Sequence, residues 1–458
     1  MKAIAFAFTT LTAACSSPSS DTNDADLQRS LAARYAGDRT ATCIAAAVIE
    51  GDVAHRASLC ADAAHPRSVD GAFEIGSVSK TMTASLLADL IDQGKIALTD
   101  PIANYLPTGT MVPTYQGAPI LIEHLVTHTS GLPRLPPNFN PADPSDPYAD
   151  FTPEALIASL ANVTLPQAPG AGWAYSNFGG MLLSYIVAHI AGRDFETTAR
   201  ARLFAPLHMA DAYVDDTPAG VTALPGHRST GDVTPAWHLA PELAGVGGVR
   251  ATLDDLILYA QAELGQGDAY TVGVLASTHA VVDLGMPRPA GDPEMAMAWL
   301  RRPVDGRTVL WHDGGTGGFT SYVAIDSGVD RAIVLLADTQ LDNVGGLENL
   351  ALHLLDPTSA LEPPRTVATP SAALLAALAG HYQVAGLDVI LSADAGELVV
   401  SITNQGESTF EYDSHGDFFT HDIDAVITPV LGADGQQTFE LVGGGVPQLA
   451  TRLASAAP

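Results

Sequence analysis

Cys43 and Cys60 enclose two apolar-rich runs that meet at Glu50-Gly51-Asp52-Val53. A Gly-Asp pair between such runs favours a two-residue hairpin turn, because glycine reaches the positive φ that the turn needs. With Gly51-Asp52 as the turn, Glu50 opposes Val53, and carrying that register outward sets Cys43 opposite Cys60. Opposed residues lie close enough to be bridged by a disulfide after modest adjustment. Two unpaired buried thiols are the alternative. The hairpin also fixes where a sheet begins. Apolar extended runs return only near residues 308–312, 320–326 and 332–337, with helical patterns between, such as 79–93, 181–191 and 254–264. This order lacks the strict alternation of a parallel sheet. It predicts an antiparallel sheet with strands from both ends of the domain, an α+β arrangement flanked by helices with a helical subdomain.

A disulfide needs an oxidising compartment, and the N-terminus points the same way. Lys2 precedes a short apolar run, Ala3 to Ala14, too brief to span a bilayer. It ends Leu11-Thr12-Ala13-Ala14-Cys15, followed by a Ser-rich stretch. Residues 1–15 read as an export signal, similar to a bacterial lipoprotein signal in which Cys15 would be lipidated and attach the chain to a membrane. Residues 16–26 read as a spacer. An exported periplasmic or cell-envelope protein is expected. The net charge of −30 offers no basic stripe for phosphates, which argues against nucleic-acid binding. Nothing in the sequence decides the oligomeric state.

A Pro-rich stretch, 356–370, reads as a linker between a domain at 27–355 and a tail at 371–458. The tail opens with a short helix (371–378). Six β-like runs between 387 and 442 follow, separated by Gly, Asn and Asp. Such spacing predicts a small antiparallel barrel or sandwich.

The chemistry concentrates on a lysine. Of 21 Lys plus Arg, the lysines are Lys2, Lys80 and Lys95. Lys80 lies three residues after Ser77, at the start of a helical pattern, so the two side chains can meet. A desolvated lysine can become a neutral amine and activate a hydroxyl; arginine cannot. Ser77 at a helix N-terminus would also feel the positive end of the dipole. Two further groups stand out. Tyr175-Ser176-Asn177 offers a phenol for proton transfer, if nearby cations lower its pKa, and an amide for a substrate carbonyl. His312-Asp313-Gly314-Gly315 follows an apolar run, so its glycines would lie along an edge strand, where substrate can approach the backbone. The N–H groups of Gly315 and Ser77 could together hold an oxyanion.

These three groups, in this order, resemble the serine β-lactamase and penicillin-binding superfamily, which uses Ser-x-x-Lys. The chain is most similar to its class C β-lactamase and D-Ala-D-Ala carboxypeptidase branch, the S12 peptidases. The resemblance covers about residues 27–353. It includes Phe73-Glu74-Ile75-Gly76 and Leu125-Val126-Thr127-His128-Thr129-Ser130-Gly131-Leu132-Pro133. It implies a β-lactamase/transpeptidase-like fold and no metal or organic cofactor. Ser77 would be the acylated nucleophile, Lys80 its activating partner, Tyr175 the proton relay to the leaving group and Asn177 a substrate-positioning amide. His312-Asp313-Gly314 stands where class C β-lactamases carry Lys-Thr-Gly. That departure is similar to the carboxypeptidases, aminopeptidases and related esterases, and favours small amide, D-amino-acid peptide or ester substrates over β-lactams. Asp313 adds negative charge, which points toward a neutral or cationic acyl substrate. The tail resembles the lipocalin-like modules appended to many relatives.

Three rival readings remain. Glu123-His124 and His128 place two histidines at i and i+4, a spacing that can bind zinc. A Ser-His-Asp hydrolase lacks its Gly-x-Ser-x-Gly elbow. A non-catalytic penicillin-binding-like sensor would use the same fold without turnover.

Overall fold

The computed structural model describes residues 23–453 apart from 385, 404–405, 422–424, 433–434 and 444–445. The export signal, most of the spacer and Cys15 lie outside the described residues. Helix α1 (Asp24–Tyr35), capped by the Asn23 side chain, leads into the hairpin β1 (Cys43–Glu50) and β2 (Val53–Cys60). Its register sets Glu50 against Val53 and Cys43 against Cys60, and the two sulfurs are joined. Five strands from the far end of the domain complete the sheet: β3 (Glu294–Met295), β4 (Leu300–Val304), β5 (Arg307–Gly315), β6 (Thr320–Asp326) and β7 (Arg331–Ala337). The order is β2-β1-β7-β6-β5-β4-β3, antiparallel throughout.

Both faces of this sheet are covered, which explains why β1 reads as a continuous apolar run rather than an alternating one. Ile44, Ala46 and Val48 face Leu27 and Leu31 of α1 and Leu350 and Leu354 of a later helix, Glu348–Leu355. Ala45, Ala47 and Ile49 face the helical region, where Leu256 and Tyr259 lie on Leu253–Glu263. That region also contains helix Ser79–Asp92, preceded by a single turn at Gly76–Val78, and helix Asn177–Ala191. The cleft lies between it and the sheet.

The tail forms an antiparallel sheet that curls until it nearly closes. Strands Val446–Leu449 and Thr451–Arg452 stand at opposite ends of the pairing path yet are neighbours in the chain. Tyr382, Leu398, Phe410, Phe418, Ile427 and Phe439 fill the interior, and helix Ala372–Leu378 contributes Leu375 and Leu378. A buried ion cluster fastens this barrel to the first domain. Arg39 donates to Asp413 at 2.9 Å, and Arg365, from the Pro-rich stretch, donates to Asp413 at 3.2 Å and Asp417 at 2.6 Å. No helix among the described residues is long and apolar enough to cross a membrane.

Candidate active site

Ser77 sits in the turn that starts the 79–92 helix, and two glycines of β5 let that turn dock against the sheet. A methyl group on Gly314 would lie 2.1 Å from the Ile75 carbonyl oxygen, and one on Gly76 would lie 2.7 Å from the Gly315 nitrogen. Gly76 has φ +49°, a conformation that side chains disfavour. The glycines of β5 therefore serve the approach of protein backbone, not only of substrate. The edge expectation holds for part of the strand. β5 is interior where it pairs with both β4 and β6, and pairing with β4 extends no further than Trp311. Thr316 N–H bonds to the Phe319 carbonyl, so strand alternation turns the Gly315 N–H away from β6.

Lys80 lies one turn beyond Ser77 and is buried, 4% exposed. Its Nζ donates to Ser77 Oγ at 2.9 Å and to the Val246 carbonyl at 2.6 Å. No carboxylate within ion-pair distance balances it among the described residues. Burial, with a smaller push from Arg134, brings its pKa down to about 7, against a weaker opposing pull from Asp313. Gly180 is close enough to Lys80 and Val246 that a methyl there would lie 3.0 Å from each. The small residue keeps the amine's stem in place.

Tyr175 lies beside Ser77, which opposes the rise in its pKa. Its ring lies 5.1 Å from Lys80 Nζ, 5.5 Å from the Arg134 guanidinium and 4.3 Å from the His128 ring. Nearby cations do not lower its pKa overall. Burial raises it strongly and outweighs the opposing effects of Ser77 and Arg134. Tyr175 is a neutral phenol at physiological pH. His128 supports the segment: its Nδ1 accepts from Ser176 N–H at 3.2 Å, and its carbonyl accepts from Ala174 N–H at 2.8 Å.

Asn177 begins its helix, with Ser176 as N-cap, and its amide donates to the Tyr148 hydroxyl at 3.3 Å. Its Oδ1 is buried without a partner. Ser77, Tyr175, Asn177 and Gly315 line one cavity of about 610 Å³. His312 does not line it. The ring is fully buried against the Tyr175 ring, centroids 6.3 Å apart, its Nδ1–H donating to the Asp313 carbonyl at 2.5 Å, and its Nε2 has no partner. Burial lowers its pKa to about 4, so the imidazole is neutral. Asp313 takes the exposed position instead.

The structure separates the two histidines of the zinc reading. Helix Ile122–Val126 ends before His128, which has φ +57°, and His124 Nδ1 accepts from Leu121 N–H at 3.0 Å. No group of three potential metal ligands occurs among the described residues. The cleft also contains Arg134, Tyr148, Trp173, Arg228 and Trp237, which no motif marked. Arg134 and Tyr148 lie in a long stretch rich in Pro, Asn and Asp, residues 131–150; Arg228 and Trp237 had no signal in sequence.

The sequence matches the Beta-lactamase family model over residues 28–356. The chain belongs to that family. Among curated relatives, it is 30% identical to the D-alanyl-D-alanine-carboxypeptidase/endopeptidase AmpH of Escherichia coli K12 over 267 residues, 56% of this chain and 68% of that one. Among solved structures, the D-alanine carboxypeptidase AmpC of Burkholderia cenocepacia covers 73% of this chain and 100% of its own, at TM-score 0.60 and 23% identity. An octameric penicillin-binding protein homologue from Pyrococcus abyssi covers 92% of this chain and 98% of its own, at TM-score 0.59 and 17% identity. These likenesses establish a β-lactamase-like fold with a nearly closed antiparallel barrel appended.

Proposed function

We propose that this family member is an exported serine hydrolase that acts through an acyl-enzyme on Ser77, with small amide, D-amino-acid peptide or ester substrates. The observation that carries this reading is the Lys80 amine: buried, without a carboxylate partner, and 2.9 Å from Ser77 Oγ. With a pKa near 7, a large fraction is free base at neutral pH. In the first step the Ser77 oxygen attacks the substrate carbonyl while Lys80 takes its proton. The oxyanion is held by the N–H groups of Ser77 and Gly315. Tyr175, a neutral phenol beside Ser77, hands a proton to the leaving group and regains one from Lys80. Asn177, with an unpaired carbonyl oxygen, accepts from a substrate N–H. Water then releases the acyl group.

The neutral, inward His312 supports esters and other substrates without a carboxylate on the leaving group over β-lactams, since no fixed cation stands at that position. The name of the Escherichia coli relative favours a D-alanyl-D-alanine peptide instead. Export through residues 1–15 and lipidation of Cys15 belong to the same proposal. The test is turnover of a short-chain p-nitrophenyl ester and a D-alanyl-D-alanine peptide by wild type and Ser77→Ala. Serine-dependent release of product supports the reading; equal turnover by the variant refutes it. Retention of penicillin as a stable adduct without turnover of either substrate would instead favour a sensor.

A further inference from the structure

We propose that the end of the cleft at Arg228 is a subsite for a carboxylate carried on the acyl portion of the substrate. This rests on Ser77 being the acylated nucleophile. The chain has 51 acidic residues, and nearly every arginine is bound to one of them or to a carbonyl. Among the described residues, the arginines whose guanidinium makes neither an ion pair nor a hydrogen bond are Arg134, Arg193 and Arg228. Arg134 and Arg228 line the catalytic cleft. Two unneutralised guanidinium groups in so acidic a protein are a specific arrangement, since the bulk of its surface offers partners.

The two arginines occupy different ends. Arg134 shares its surroundings with Asp313 and Asp342, which together with it line both the cleft and an adjoining polar cavity of about 400 Å³. Arg228 is on the same hairpin as Thr234, and Gln340 N–H bonds to the carbonyl of the adjacent His227; these residues and Thr316 line the cleft. Thr234 and Gln340 are 9% and 8% exposed, and Thr234 Oγ1 and Gln340 Oε1 have no partner. Buried polar atoms left unbonded by the fold are uncommon and point to a ligand. A guanidinium, two hydroxyls and a carboxamide can together bind a carboxylate and the peptide group beside it.

The direction of the cleft assigns this end to the acyl group. Tyr175, which serves the leaving group, neighbours Arg134. Beyond Gly315, where β5 ends, the chain runs through Thr316 and Gly317 to Gly318, whose carbonyl accepts from His227 N–H beside Arg228, away from Asp313. The hairpin that carries Arg228, built from Gly226–His227 and Val233–Thr234, is fixed in place. His227 N–H bonds to the carbonyls of Gly318 and Asp338, both at 3.0 Å. His421 of the barrel donates to the Thr230 carbonyl at 3.3 Å. This assignment reverses the expectation drawn from Asp313, because the sequence alone could not bring Arg228 to Ser77.

The experiment compares two esters with one leaving group: the p-nitrophenyl monoester of glutaric acid, which has a free acyl carboxylate, and its methyl-capped form. Wild type should favour the anionic ester in kcat/KM by about tenfold or more, the scale of one charge-assisted hydrogen bond. Arg228→Ala should remove that ratio, Arg228→Lys should keep part of it, and Arg193→Ala should leave it unchanged. No preference in wild type, or a ratio untouched by Arg228→Ala, overturns the subsite. Binding of monomethyl and dimethyl glutarate to Ser77→Ala, followed by NMR, separates the two readings. If wild type hydrolyses neither ester but the monoanion still binds preferentially and Arg228→Ala abolishes this, the subsite stands and the hydrolase reading falls. If neither turnover nor binding discriminates, the subsite is wrong.

Discussion

Two buried cation sites in this protein have opposite designs. At the junction between the domains, Arg39 and Arg365 are buried beside Asp413 and Asp417, and each guanidinium has a carboxylate at 2.6–3.2 Å. Burial works against the charge of both; for Arg365 the carboxylates outweigh it and raise the pKa beyond its ordinary value, whereas for Arg39 burial leaves the pKa below its ordinary value although Asp413 opposes it. In the cleft, Lys80 is buried to a similar depth and meets only a hydroxyl and a carbonyl. There burial wins, and the pKa falls to about 7. The difference is one of partner, not of depth. A buried cation with a carboxylate is a fastener, whereas one with only neutral acceptors becomes a base. Residue type follows the same logic: arginine, which keeps its proton, serves the junction, and one of the few lysines serves the cleft.

Exchanging the designs should have the largest effect. Lys80→Arg keeps the charge and removes the base, so it should lower kcat/KM for a serviceable ester by roughly 10²–10⁴-fold, the usual range for general base catalysis. The check is steady-state kinetics alongside circular dichroism to confirm folding. Removing the partner at the junction should act on stability instead. Asp413→Ala leaves Arg39 and Arg365 without a shared carboxylate. It should destabilise the protein by about 3–5 kcal/mol in chemical denaturation. Activity per folded molecule should stay the same.

Both sites should weaken on acidification, but in different pH windows and by different readouts. In the proposed mechanism Lys80 acts as the free amine, so kcat/KM should rise with pH through about 7 with unit slope, and a profile flat from pH 6 to 9 would contradict the assignment. Asp413 is held below the ordinary carboxylate range; burial alone would raise it, but Arg39 and Arg365 outweigh that. Its stabilisation is complete above the unfolded value near ~4 and is lost as pH falls through its own lower value. Denaturation midpoints from pH 5 downward should track this loss. The smallest effect concerns the hairpin. Replacing Cys43 and Cys60 by serine opens a short loop and should cost about 2–3 kcal/mol by chain-entropy arguments, leaving the cleft intact.

Much of this contrast was legible in sequence, in proportion to how local each signal was. The hairpin register followed from one turn, because a two-residue loop fixes every pair beyond it. Strand 320–326 and the tail strands near 387, 397 and 438 follow from apolar runs between turn residues. Ser77 and Lys80 needed only helical spacing. Strands β3 and β4 were not visible, since Glu294–Met295 is too short and Leu300–Val304 carries two arginines and a proline. The burial of His312 depended on which face of β5 turned inward, and an alternating reading could not choose. The zinc reading failed because the helix ended two residues early. Arg228 lies 151 positions from Ser77 in the sequence, and only the packing of its hairpin on Gly318 brings it to the cleft.

The central claim, that Lys80 is a neutral amine near physiological pH, can be read directly. The chain has so few lysines that ¹³C labelling at lysine Cε would give signals for Lys2, Lys80 and Lys95 alone, with Lys80 assigned by its loss in Lys80→Arg. This signal should titrate near pH 7 in the folded protein. A Lys80 signal that stays charged to pH 10 would contradict it.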